Sequence, residues 1–576
     1  MNIFIYFRDV LFCSAQKTYC EVLNRNDVKI EFPRNPRYGD VSSNIALVIA
    51  KKLKIDPIVV AEKLSSQFYN NKYILKLSVE GTGFLNLTLK REFWYFFLKS
   101  LIKEGMNYPK INIGNSNRVN VEFVSANPTG ALHLGHAKGA IFGDVIANLL
   151  SKCGFAVTKE FYINDAGKQV DYLVRSLEIR FKQLSGEKIE LDQSCYPGEE
   201  IITLAKVLKD QYQNKFTSLD EIKKEICLKD FATTEMLNII KKNLRSLRVY
   251  HHNFISEKSL IQKNKVQYCI DFLKSKNLLY KGMLEKPKSR ERSNNWEIKE
   301  HILFKSTKFG DDIDRVVVKS NGDYTYFAFD IAYHFDKIKR GFNNIVLLLG
   351  ADHIGYKKRL QSSVSALSDG NAKCTVKICQ LVKLLNNGIQ TRMSKRSGNF
   401  IRLSEVLDEI GSDALRFAIL SKSLDTVLEI DINKLQDQTK DNPIFYVQYA
   451  SARANSILNK AKCLGLDISD IIKTDVDLSR LDTKYDLELI KLLALYPKVL
   501  ISCLHNLEPH QISYYLYNLA CKFHQIWSKG TKEQNIKFIV DNDIKLTKSR
   551  IVLVYAIKSV IVSGLKLLGI EAVKQM

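Results

Sequence analysis

The chain is poor in paired cysteines, long apolar runs and acidic charge, and each shortage narrows what it can be. Eleven cysteines are present in 576 residues, but none forms a C-x-x-C pair and the number is odd. Neither a disulfide framework nor a zinc ribbon is expected, and reduced thiols in the cytosol fit better. Cys374 and Cys379 flank an alternating stretch that reads as a strand. Met1 to Ala15 is apolar but lacks a basic n-region and is interrupted by Arg8 and Asp9, so no signal peptide is expected. The richest apolar stretch, Ile551 to Ile570, carries Lys558 and Lys566 at helical spacing and reads as a packed helix, not a membrane span. There is no internal repeat and no low-complexity tract. Acidic residues number 62 against 86 lysines and arginines, a formal net charge of +24. A field that positive attracts polyanions, nucleic acid above all. Drift towards Lys, Ile and Asn on solvated faces explains the excess equally well from charge alone.

What is present is ordinary globular material, 45% hydrophobic and 26% charged, enough for several domains. Residues 1–110 alternate helical patterns with short strands such as Phe84–Leu89, a small α+β domain. Pro109 and the polar run Asn112–Asn117 make a linker. Val119–Val124 is a β-branched run that stops at Ser125-Ala126-Asn127-Pro128-Thr129-Gly130, and a helix begins near His133 and passes Leu150. Strand, glycine-containing turn and helix in that order open a nucleotide-binding α/β domain, expected over 111–402. Within it, about 166–300 is charged and mostly helical, an insertion. Asp323–Arg340 is helical again. Ile345–Leu349 reads as a buried parallel strand ending at Gly350-Ala351-Asp352-His353, where such sheets place ligand groups. Beyond about 403 only helical periodicity remains, so 403–576 is expected as a helical linker and an all-α domain.

Two short elements carry chemistry. His133-Leu134-Gly135-His136 sets two imidazoles on one face of a helix's first turn, where unpaired N–H groups and the dipole favour an anion. Gly135 lets a flat ring or phosphate approach the backbone. Taken alone, two satisfied histidines are the plainer account; the preceding strand and turn shift the balance. Arg392-Met393-Ser394-Lys395-Arg396-Ser397-Gly398-Asn399 gathers three cations in five residues beside Ser and Gly, a loop suited to pyrophosphate. A solvated basic loop is the plainer account of it taken singly.

In this order and at this wide spacing the two elements resemble the HIGH and KMSKS motifs of class I aminoacyl-tRNA synthetases. Leu134, Arg392 and Arg396 depart from the consensus letters. The chain resembles bacterial arginyl-tRNA synthetases in particular. The likeness runs through Arg37-Tyr38-Gly39-Asp40, Val121 to Gly130, Phe161 to Gly167, Gly322 to His334, Gly350 to His353, Asp413 to Phe417 and Asn442 to Ala450. It implies a multidomain α/β protein: a Rossmann-like parallel-sheet catalytic domain with a helical insertion, a small α+β N-terminal domain that grips the tRNA elbow, and an all-α anticodon-binding C-terminal domain.

The resemblance also implies roles. ATP is held by His133, Gly135, His136, Met393, Ser394 and Lys395, with His133, His136 and Lys395 stabilising the reacting phosphates and magnesium (Mg2+) shielding them. Glu122, Ser125 and Asn127 hold the amino-acid end of L-arginine. Tyr326 and Asp330, one helical turn apart, hold the guanidinium, which demands a carboxylate and a planar neighbour. Asp352 and His353 line the amino-acid or ribose site. No resident metal site is expected; tRNA(Arg) is the macromolecular partner, and a cytoplasmic monomer without membrane contact is expected. Another class I synthetase, a small nucleotidyltransferase and a non-catalytic RNA-binding paralogue are the competing readings. The first would want a zinc-binding Cys/His set if it were the cysteine enzyme, the second lacks the helical C-terminal half, and the third would have lost one of the two histidines or the lysine.

Overall fold

The computed structural model describes residues 1–576 except 20–22, 69–70, 217–219, 284–298, 387, 391–401, 438 and 440–441. The chain forms two compact units, one of residues 112–437 with 508–510, the other of 1–111, 438–507 and 511–576.

The first unit is built on five parallel strands: β1 (Arg118–Glu122), β2 (Ala156–Ile163), β3 (Asn253–Ser256), β4 (Asn344–Gly350) and β5 (Lys373–Cys379). They lie in the order β5–β4–β1–β2–β3. The chain winds outward from β1 to β3, then restarts on the other side with β4 and β5. The reversal between β1 and β4 is a topological switch point, where helices leave in opposite directions and open a crevice at the carboxyl ends of the strands. β1 is buried along Val119–Glu122, and β4 along Ile345–Leu348, the near-continuous apolar run of a strand covered on both faces. Helix α1 (Leu134–Lys152) follows β1 and lies flat on it. A Cβ on Gly143 would stand 2.1 Å from the Phe123 ring, so only glycine permits that approach.

Two expectations about this unit are corrected. The insertion is helical over Lys168–Leu184, Glu199–Phe216 and Glu221–Ser246, which share a core of Leu173, Leu177, Ala205, Leu228 and Met236. It does not continue to 300: β3 returns to the main sheet, and Leu279–Gly282, His301–Phe304 and Arg315–Val318 form a small antiparallel sheet. Strand signal does not end at 403 either, because Leu428–Asp431 pairs in parallel with Val382–Asn386. Each of these missed strands is four residues long, too short for a period of two to stand out from helical neighbours.

The second unit joins the two ends of the chain. Its four-stranded antiparallel sheet holds Ile30–Glu31, Val41–Ser43, Phe84–Leu89 and Ile74–Glu80 in that order. Gly39, at φ +96°, sits where a Cβ would be 2.7 Å from the Leu87 carbonyl oxygen. Asp40 beside it accepts from the Leu89 N–H and pairs with Lys491. The helix Ile544–Leu567 is buried on nearly every side and packs against Arg91–Glu104, Pro443–Cys463 and Lys484–Asn506. Among the described residues no helix is long and apolar enough to cross a membrane.

Candidate active site

β1 ends in a strained turn: Val124 and Ser125 adopt φ of +72° and +40°, a region that side chains, β-branched ones above all, rarely enter. The turn is held by Ser125, whose hydroxyl donates to Glu122 Oε1 at 3.1 Å and accepts from the Tyr162 N–H at 3.1 Å, tying the ends of β1 and β2 together. The Asn127 carbonyl accepts from the Thr129 N–H at 2.8 Å. His133 then caps α1. Its Nδ1 accepts the Gly135 N–H at 3.1 Å, His136 Nδ1 accepts the His133 N–H at 3.3 Å, and the two rings stack at 3.8 Å. With both Nδ1 atoms accepting, a neutral ring carries its proton on Nε2, the donor form an anionic ligand requires. A Cβ on Gly135 would meet His133 Cε1 at 2.9 Å, so the glycine makes room for the imidazole as well as for a ligand. Arg402 forms a backbone bridge with His133 and ion pairs with Glu199 and Glu200, and the Leu403 N–H donates to the Leu132 carbonyl. Met393, Ser394 and Lys395 lie outside the described residues.

Helix α2 (Glu257–Gln262) starts at the end of β3, and helix α3 (Tyr326–Lys339) precedes β4. Along α3, positions 326, 330, 333 and 337 share a stripe that descends from Tyr326, 67% exposed, to Lys337, fully buried. Asp330 stands one turn down. Burial first, then the charges of Glu122 and Glu257, push its carboxyl up to about 7 against the opposing pull of Arg359. Glu257 is buried and likewise raised, mainly by desolvation. The Tyr162 hydroxyl donates to Glu257 at 2.8 Å, and its phenol is pushed far up by burial and by the charges of Glu257, Asp330 and Glu122. Three carboxylates therefore surround one tyrosine, an arrangement that favours a cation between them.

Beneath this pocket the like charges are compensated. Glu122 and Glu160 are register partners on adjacent strands, so both carboxylates point to the same face. Lys337 takes Glu122 at 2.5 Å, while Arg340 takes Glu160 at 2.6 and 2.9 Å with Tyr333 adding a third bond at 2.8 Å. Burial alone would raise Glu160; the Arg340 hydrogen bonds and neighbouring charges hold it instead at about 2. Tyr333 stacks on Tyr162 at 4.4 Å.

Glu122, Ser125 and Asp330 are thus gathered, and His133 is stacked on His136. Asp352 and His353 form an exposed turn after β4 and pair with each other at 3.4 Å. Tyr162, Glu257, Tyr333 and Lys337 are the members sequence reasoning missed. The last two were within reach as the continuation of the 326–330 stripe; Glu257 was hidden by the missed strand before it. Among the described residues no group of three or more His, Cys, Asp or Glu is placed to hold a metal ion.

The chain matches three family models: the arginyl tRNA synthetase N terminal domain over residues 8–89, the catalytic domain of class I (R) tRNA synthetases over 98–459, and the DALR anticodon binding domain over 447–576. It is 45% identical to an arginine–tRNA ligase of Wolbachia pipientis wMel, covering 95% of this chain and 94% of that protein. It is 43% identical to the ligase of the same name from Wolbachia sp. subsp. Brugia malayi over the full length of both. The solved arginyl-tRNA synthetase of Thermus thermophilus superposes with a TM-score of 0.73 over 99% of each chain at 19% identity, a likeness of fold.

Proposed function

The chain belongs to the arginyl-tRNA synthetase family and is an aminoacyl-tRNA ligase, and from that premise we propose how its own residues divide the work of joining arginine to tRNA. The reaction has two displacements. A carboxylate oxygen of L-arginine attacks the α-phosphorus of ATP and pyrophosphate leaves; a hydroxyl of the tRNA's terminal adenosine then attacks the arginyl carbonyl and AMP leaves. Positioning and electrostatics carry both steps.

Asp330 and Glu257, with Tyr162 between them and Tyr326 above, receive the guanidinium. Glu122 takes the α-ammonium, with Ser125 and Asn127 shaping the turn around it. His133 and His136 donate to the phosphates at the start of α1, and Gly135 leaves them room. Lys395, with Met393 and Ser394, attends the departing pyrophosphate. Arg402, bridged to His133, stands seven residues after Lys395 in sequence, and seven residues reach at most about 24 Å. That is short enough to bring the lysine to the same triphosphate. Asp352 and His353 border the ribose side. With no three-ligand cage among the described residues, Mg2+ comes as the ATP complex, held chiefly by phosphate oxygens. tRNA(Arg) is the partner, and the enzyme acts as a cytoplasmic monomer.

The carboxylate cluster around Tyr162 carries this reading: among the described residues no ion pair answers Asp330 or Glu257, and a planar, permanently charged guanidinium supplies what is missing. The test is direct. Purified protein with ATP, bulk tRNA and each amino acid in turn should charge tRNA with arginine alone; attachment of any other amino acid in its place would overturn the assignment.

A further inference from the structure

We propose that Lys337 is a positioning residue for the substrate's amino end, fixing the rotamer of Glu122 from beneath the pocket. The inference rests on the assignment of Glu122 to the α-ammonium and adds a residue that never touches substrate.

Lys337 lies three turns along α3 from Tyr326 and is fully buried. A buried ammonium must be answered by partners. Its partners are Glu122 Oε2 and the face of the Tyr333 ring, 4.3 Å from Nζ to centroid. Ser125 donates to the other oxygen of Glu122, Oε1. Both carboxylate oxygens are therefore held, each by one bond, while each keeps a second lone pair for an incoming donor. The rotamer of Glu122 is set before substrate arrives.

Glu122 stands beside Glu160 in register, and its charge also acts on Asp330. Like charges set side by side call for cations between them. Arg340 is committed to Glu160 and Asp336, which leaves Lys337 as the cation in contact with Glu122 among the described residues. A buried ion pair of this kind is a weak source of stability, and apolar residues of the same volume serve as well. Here the pair underlies the strand end that faces the reaction, and a carboxylate held in place is what an ammonium ligand needs. The Tyr333 ring under Lys337 stacks on Tyr162, the tyrosine that donates to Glu257. The support of the amino end and the wall of the guanidinium end thus form one packed unit.

The test compares L-arginine with des-amino-arginine, which has hydrogen in place of the α-ammonium, in tRNA charging by the full chain. Wild type should hold arginine much more tightly than the analogue, read as KM against the inhibition constant. Lys337→Met should raise the arginine KM on the order of thirtyfold, leave inhibition by des-amino-arginine nearly unchanged, and largely keep kcat. Lys337→Arg should recover most of the loss. In a Glu122→Gln background Lys337→Met should have little further effect, the non-additivity of two groups acting as one. Should the Met variant not fold, Lys337→Gln, which keeps a donor near Glu122, carries the same comparison. A folded variant that keeps the wild-type preference for arginine, or that loses both ligands equally, overturns the inference. Failure of the Glu122 assignment itself looks different: wild type would then hold the two ligands alike.

Discussion

Asp330 is the residue whose chemistry is most exposed to pH. Burial and the charges of Glu122 and Glu257 oppose its ionisation and push its carboxyl up to about 7. Guanidinium stays charged throughout and pairs with the ionised form, so binding releases a proton. Arginine affinity should therefore rise as pH increases towards 7 and level off above it, with KM climbing towards about tenfold per pH unit on the acid side. Asp330→Asn should flatten that profile and raise the arginine KM at pH 8 by about a hundredfold; unchanged arginine affinity would remove Asp330 from the guanidinium site. The same residue affects stability with the opposite sign. Its folded pKa lies above the ordinary carboxyl value, so the empty folded state binds more protons and loses stability as pH rises from about 4 to 7. Thermal melts at pH 8 should show the Asn variant more stable than wild type when arginine is absent, and only wild type gaining from added arginine. Lys395 is expected to act on the other half of the chemistry. Lys395→Ala should slow adenylate formation by about three powers of ten, near 4 kcal/mol of transition-state stabilisation, with tRNA binding kept. Pre-steady-state adenylate formation and a filter-binding titration separate the two.

Helix α1 is the element on which the phosphate-binding end depends, and it is pinned at three levels. Gly143 lets it lie on Phe123; Asp144 is held between Lys159 and Arg416, the latter fully buried; and Lys138 donates to the carbonyls of Gln380 and Thr426. Gly143→Ala should force helix and strand apart and lower stability by about 1–3 kcal/mol, read from the denaturant midpoint at unchanged slope. Displacement of His133 and His136 would add a loss of kcat. Elements with their own strong signal were legible: β1, α1, β4 and the late helix ending at Leu567 follow from β-branched runs, a glycine-containing turn and helical spacing. The histidine pair and the 326–330 pair were legible because each lies within one turn of a helix. What escaped is non-local. β3 is four residues whose pairing with β2 exists only in the sheet, and with it went Glu257. Lys337 looks like any helical lysine until Glu122, 215 positions away, is folded against it.

At the scale of the whole molecule, the excess of 24 positive charges and the need for tRNA belong together. Phosphate contacts release counterions, so tRNA KM should climb at least tenfold between about 50 and 200 mM KCl. The arginine KM should barely move, since screening acts weakly inside a buried pocket. We propose, from the likeness to arginyl-tRNA synthetases, that arginine activation waits for bound tRNA, and the salt response turns this into a sharper expectation. If tRNA completes the activating state, then ATP–pyrophosphate exchange should be nearly silent without it. Exchange should appear on titration at the tRNA concentration that half-saturates charging, and salt should extinguish it in parallel with tRNA binding. Tight coupling requires exchange and charging to share one midpoint in tRNA, and exchange and tRNA binding to share one midpoint in salt, because a ligand shifts an equilibrium only by its preference for one state. Strong exchange in tRNA-free enzyme would break the link and leave the positive field a matter of affinity alone.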